Sequence, residues 1–124
     1  MTGTQRQILR LEREQARDFN RHDLGALLAQ FGPGFMGFSS TRHKRVSGRK
    51  ELASTFRHYF DRSPRAQYRI AQPRVQVLGG VAVASFYWTV TLSPRRKVEG
   101  RGSHVYAKGK GGWKIVHEHF SKAH

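Results

Sequence analysis

At Pro64 the periodicity of the chain changes. Before it, apolar residues recur three and four apart; after it they alternate, in runs separated by Gly79-Gly80, Ser93-Pro94 and Gly109-Lys110-Gly111-Gly112. The first spacing is that of helices and the second that of strands. A helical first half must therefore pack on a sheet built by the second half, and short turns between successive strands make that sheet an antiparallel meander. The predicted class is α+β.

Within the first half, Ile8, Leu11, Ala16 and Phe19 share one side of a helix running from about Thr4 to Asn20. Arg6, Arg10, Arg13, Arg17 and Arg21 lie opposite, with Glu14 and Asp18 near enough to pair with some of them. Glu12 falls among the apolar positions, where it either snorkels at the helix margin or looks into a cavity. Asp23 is placed to cap a second short helix with Leu24, Leu27, Leu28 and Phe31 as its apolar face, and Gly32-Pro33-Gly34 reads as its stop. Phe35, Met36 and Phe38 form a short apolar segment. A basic loop then leads to a third helix over about 48–61, buried through Leu52, Phe56 and Tyr59 or Phe60.

In the second half, the first strand spans Tyr68 to Leu78 and is interrupted by Pro73, which implies an edge position or a bulge. Val81 to Leu92 is the most strand-prone run and reads as the central strand. Ser93 to Glu99 reads as a hairpin loop, and Gly100–Lys108 and Trp113–Ser121 as the last two strands. Aromatic and branched residues occur on both parities, so both faces of the sheet need cover. A second copy of the chain is the simplest cover for the outer face, which predicts a homodimer or higher oligomer.

The chain has 124 residues, enough for one domain over 1–124 with its own core, and no cysteine for disulfides or thiolate chemistry. No apolar run reaches the roughly 18 residues of a membrane span, so a soluble, cytoplasmic protein is expected, without a membrane partner. Twenty-three Lys and Arg against 8 Asp and Glu give a formal charge of +15, which attracts polyanions without specifying one. The basic segments Arg42-His43-Lys44-Arg45, Arg49-Lys50 and Arg95-Arg96-Lys97 have no stacking aromatics beside them, so any nucleic-acid binding would be nonspecific and salt-dependent. His117 and His119 share one strand face at a spacing metals use, but two ligands do not make a site. Neither a metal nor a cofactor is expected.

The His22-Asp23-Leu24 start of the second helix, the strand pair from Gly79 to Leu92 and, above all, the ending GRGSHVYAKGKGGWKIVHEHFS resemble the nuclear transport factor 2-like superfamily. Within it the chain is similar to SnoaL-like and ketosteroid-isomerase-like proteins and to the association domain of calcium/calmodulin-dependent kinases. The resemblance implies a cone-shaped, curved antiparallel sheet with N-terminal helices packed over a cavity (the cystatin-like arrangement) and frequent dimerisation. It does not imply one activity, because the superfamily holds isomerases, dehydratases, cyclases and noncatalytic assemblers.

Aligned on its closing motif, the resemblance places Tyr87, His104, Tyr106, Glu118 and Phe120 on the cavity side, with Phe38 and Phe56 contributed from the first half. His117 and His119 then point outward together with Trp113 and Ile115. On that reading Glu118 is the general acid or base, His104 polarises or protonates a carbonyl, and Tyr87 or Tyr106 donates to a developing enolate. Tyr106, Phe120, Phe56 and Phe38 would hold a small apolar or carbonyl-containing ligand. Alternatively, Glu118 pairs with a basic neighbour and the tyrosines are core. The chain departs from the steroid isomerases in having no acid between Arg62 and Val98, which excludes a close copy of their strand carboxylates. Three functions follow: proton transfer next to a carbonyl, noncatalytic self-association, or electrostatic binding of a polyanion.

Overall fold

The structure, a computed structural model, describes residues 1–123. Helix α1 (Gly3–Asn20) is followed by α2 (Leu24–Ala29), strand β1 (Phe31–Phe38), the two-residue strand β2 (Val46–Ser47) and α3 (Gly48–Arg62). Four long strands complete it: β3 (Gln67–Leu78), β4 (Val81–Ser93), β5 (Arg96–Gly109) and β6 (Gly112–Lys122). They form one curved, unclosed sheet in the order β2-β1-β6-β5-β4-β3. The helices cover its inner face.

The starts of α1 and α2 follow from their caps. Thr2 and Gln5 form a capping box at α1, the Thr2 hydroxyl accepting from the Gln5 backbone N–H at 3.1 Å, and the Asp23 carboxylate accepts from the backbone N–H of Ala26 at 3.1 Å. α1 is fastened along the edge strand β3. Gln5 Nε2 donates to the Val75 carbonyl at one end, and Asn20 at the other both donates to the Tyr68 carbonyl (2.9 Å) and accepts from the Tyr68 N–H (2.7 Å). These side chains satisfy backbone groups that an uncovered edge would offer to another chain.

Three expectations change. Gly32-Pro33-Gly34 is not the end of a helix but an irregular stretch inside β1, which starts at Phe31 and runs parallel to β6. The sheet is therefore mixed rather than purely antiparallel. Arg96 to Glu99 belong to β5, leaving only a tight turn after β4, and β4 lies one strand in from the β3 edge, while β6 and β5 occupy the middle. The interruption at Pro73 is as expected: the β3–β4 register shifts between Ala71 and Arg74, and Gln72 takes a φ of 51°.

The interior divides in two. Ile8, Leu27, Phe31, Phe35, Leu52, Ala82, Ala84, Tyr106, Trp113 and Ile115 pack into one buried cluster, and Tyr68, Phe86 and Trp88 form a second, with Phe120, Val90 and Val98 beside it. The second cluster depends on two glycines of β5. Phe86 lies opposite Gly102 and Trp88 opposite Gly100. A Cβ on Gly102 would sit 2.8 Å from Phe86 Cε2, and one on Gly100 would collide with the Trp88 ring and the Ser121 carbonyl. The two rings therefore lie over bare backbone.

That packing decides the facing of β4. Phe86 and Trp88 turn inward, so Tyr87 turns out and is 54% exposed, contrary to its expected place in the cavity. Facing in β6 changes at a bulge. Ile115 pairs with Tyr106 and His117 with Val105, leaving Val116 as an extra residue. Trp113 and Ile115 are consequently buried in the core, not outward as simple alternation required, while Glu118 and Phe120 also face inward.

Candidate active site

A cavity of about 480 Å³ opens between α3, the end of α1 and the inner face of β4, β5 and β6. Its walls are apolar and largely aromatic: Phe19 from α1, Phe56 and Tyr59 from α3, Tyr68 from β3, Trp88 and Val90 from β4, and Phe120 from β6. Glu118 is the only acid lining it among the described residues. An apolar recess with few polar groups is the usual form of a small-molecule site.

Glu118 is held by a buried chain of polar groups. Its Oε1 lies 3.0 Å from Nε2 of His104, whose Nδ1 lies 2.7 Å from Oε2 of Glu12, and the Tyr106 hydroxyl donates to that same oxygen at 2.8 Å. His104 and Glu12 are completely buried, whereas the Glu118 side chain keeps 13% exposure. Burial disfavours a charged imidazole, yet the charge of Glu12, the hydrogen bonds it donates to both carboxylates and the charge of Glu118 outweigh it and raise the His104 pKa to about 10. At neutral pH an imidazolium therefore donates to a carboxylate on each side. Burial and the Glu12 charge push the Tyr106 hydroxyl far above its ordinary pKa, so it remains a donor.

Among the described residues, three of the wall carry buried polar atoms without a hydrogen-bond partner: the Tyr68 hydroxyl, the Trp88 indole N–H and the Ser39 hydroxyl. An unpaired buried donor costs about 1–3 kcal/mol, and because these atoms have almost no accessible surface, a ligand oxygen meets one only after a small side-chain movement. Burial, then the charges of Glu12 and Glu118, raise the pKa of Tyr68 well above normal and keep its proton in place.

The expected site residues separate into three groups. Glu118, Phe120 and Phe56 line the cavity. His104 and Tyr106 face inward but lie behind its wall, with both His104 nitrogens and the Tyr106 hydroxyl committed to carboxylates, so neither contacts the cavity directly. Tyr87 and Phe38 are on the other face. In β1 the position opposite Glu118 is Gly37, which sends Phe38 outward beside His119, with the Arg45 guanidinium 5.4 Å from its ring. His117 and His119 do face outward, and no group of three metal-ligating side chains occurs among the described residues.

Sequence reasoning missed Tyr68, Trp88 and Gln15 as cavity residues and left Glu12 undecided. Glu12 neither snorkels nor enters the cavity; it is the buried anchor of His104. The available signal was a carboxylate among apolar helix positions combined with a histidine on an inward strand position. Nothing local joins two residues 92 positions apart.

Comparison with known proteins identifies the family and the fold. The family of SnoaL-like domains matches residues 8–124. The chain belongs to this SnoaL-like family. No curated protein matches it. Among solved structures, a nuclear transport factor 2-like protein of unknown function from Pseudomonas putida superposes with a TM-score of 0.91 at 17% identity, over 98% of this chain and 87% of that one. A provisionally assigned calcium/calmodulin-dependent protein kinase II association domain from Xanthomonas campestris gives 0.84 at 19% identity, over 95% and 86%. A provisionally assigned ketosteroid isomerase from Parabacteroides distasonis gives 0.76 at 23% identity, over 94% and 85%. These likenesses establish the nuclear transport factor 2-like, cystatin-like fold of this SnoaL-like chain. Among the described residues, no helix is long and apolar enough to cross a membrane.

Proposed function

We propose that the chain binds a small, largely apolar carbonyl compound and that Glu118 moves a proton on the carbon next to the carbonyl, as an isomerase, dehydratase or cyclase does. The observation that carries this reading is Glu118 itself: a single acid in an aromatic recess, fixed at Oε1 by a buried imidazolium that is anchored by Glu12 and Tyr106. No second hydrogen bond holds Glu118 among the described residues, so Oε2 is uncommitted. The carboxylate takes the α-proton, the C–H electron pair moves toward the carbonyl to give an enolate, and the same carboxyl group returns the proton to another atom of the conjugated system. The Tyr68 hydroxyl or the Trp88 indole N–H, both unpaired but buried, supplies the donor for the enolate oxygen once a small ring movement opens it to the cavity. These two replace Tyr87. His104 acts through Glu118 as a positioning residue.

The test is deuterium exchange at the α-carbon of a panel of aromatic and alicyclic ketones, followed by NMR. Exchange is expected in the wild type and falls about 100-fold or more in Glu118→Gln, in line with the usual contribution of a positioned acid or base. Exchange that survives the substitution unchanged rejects the role of Glu118.

A second reading, self-association, is favoured by the outer face of the sheet. Met36 and Tyr87 are 50% and 54% exposed there, and Phe38, Val83, Val105, His117 and His119 complete a partly apolar surface without a helix over it. Trp113 has no part in it. Light scattering at micromolar concentration is expected to give at least a dimer; a monomer rejects this reading and leaves the first untouched.

A further inference from the structure

The mouth of the cavity differs in charge from its interior. Arg42, His58, Arg62, Arg96 and Lys122 all line it and are all exposed, whereas Glu118 is the single acidic lining residue among those described. They come from separate elements: Arg42 from the loop after β1, His58 and Arg62 from α3, Arg96 from the start of β5 and Lys122 from the end of β6. None is ion-paired among the described residues, where the only ion pairs join Arg17 to Asp18 and His104 to Glu12 and Glu118. Among the described residues, only Arg42 of these has a side-chain partner, the Thr55 hydroxyl at 3.2 Å.

We infer that the ligand of this cavity is an amphipathic anion, a small apolar body carrying a carboxylate at its outer end. The inference rests on the cavity being a ligand site and specifies what enters it. Four permanent cations around a low-dielectric recess attract an anion and hold its charged end at the solvent boundary. Glu118 repels the same group from the interior, so the two charge sets give the ligand one orientation. The apolar end goes inward, against Phe19, Phe56, Trp88 and Phe120, and brings its carbons to the carboxylate. A neutral ligand has no such preference. This also gives part of the net charge a local purpose: these arginines surround an opening, while those of the α1 outer face do not.

Isothermal titration calorimetry with 2-naphthylacetate and its neutral amide, 2-naphthylacetamide, tests the inference. Each exposed charge pair contributes a factor of only a few, so the acid is expected to bind about five- to twentyfold more tightly than the amide in low salt, with the ratio shrinking as salt rises. Arg62→Gln with Arg96→Gln is expected to remove most of that preference and to leave amide binding within about twofold. Arg10→Gln with Arg13→Gln on the outer face of α1 changes the net charge equally and is expected to preserve the preference. Val90→Trp, which fills the cavity, abolishes binding of both probes. Equal binding of acid and amide overturns the inference while the cavity remains a ligand site. Loss of preference in the α1 double variant as large as in the rim variant also overturns it, since net charge alone is then responsible. Binding of neither probe overturns it along with the reading on which it rests.

Discussion

The two halves of the interior use the same kinds of residue for opposite ends. Around Leu27, Phe31, Phe35, Leu52 and Ile115 the helices close onto the sheet and leave a solid core. Around Phe19, Tyr68, Trp88 and Phe120 the aromatic rings touch one another edge-on or tilted and line one side of an open space, with Phe56 shared between this wall and the solid core. Large apolar side chains therefore do not by themselves specify filled volume. The polar chain Tyr106–Glu12–His104–Glu118 crosses from the solid part to the hollow one.

The contrast is testable by truncation. Phe31→Ala, in the solid half, is expected to lower unfolding free energy by about 3–5 kcal/mol in urea denaturation, whereas Val90→Ala on the hollow wall is expected to cost under about 1 kcal/mol because the space beside it is already open. Similar costs for the two would remove the distinction. At the boundary, Glu12→Gln leaves an imidazolium with one counter-charge in a dry setting and is expected to cost about 3–5 kcal/mol. Gly100→Ala is expected to cost about 3 kcal/mol or more through its clash with the Ser121 carbonyl and the Trp88 ring.

The pH dependence sharpens the same boundary. The folded-state pKa of His104 is raised from 6.5 to about 10, so its stabilising contribution is complete below pH 6.5 and is lost as pH rises toward 10. The stability gap between wild type and His104→Gln is therefore expected to narrow between those values. A gap that is constant over this window, measured by urea unfolding at several pH values, means that the imidazole is not charged in the folded state.

The solid half was the more legible in sequence. Its helices follow from spacing and caps, and Asp23 caps α2 as its chemistry requires. β1 was obscured by Gly32-Pro33-Gly34, because local turn chemistry there is overridden by pairing with a strand some eighty positions later. The hollow half was harder. Phe86, Tyr87 and Trp88 are consecutive aromatics, so alternation alone does not say which two face inward; the choice is made across the sheet by Gly100 and Gly102. Glu12 reads as a surface acid until its partner is known, and that partner lies on a different element. The resemblance to the family supplied the inward facing of Glu118 and Phe120 but not the bulge that allows Ile115 to face inward as well.

The extra residue in β6 acts like a frameshift within the strand. Upstream of Val116, odd-numbered positions belong to the interior; downstream, even-numbered positions do. The offset is matched in β1, where Gly32-Pro33-Gly34 occupies the gap between the Phe31–Ile115 and Met36–His117 pairings and a Cβ on Gly32 would lie 3.5 Å from the Val116 side chain. A tripeptide that never approaches the cavity thus helps to select whether an acid or an imidazole is presented to it, and substitutions there can rewrite the site from outside.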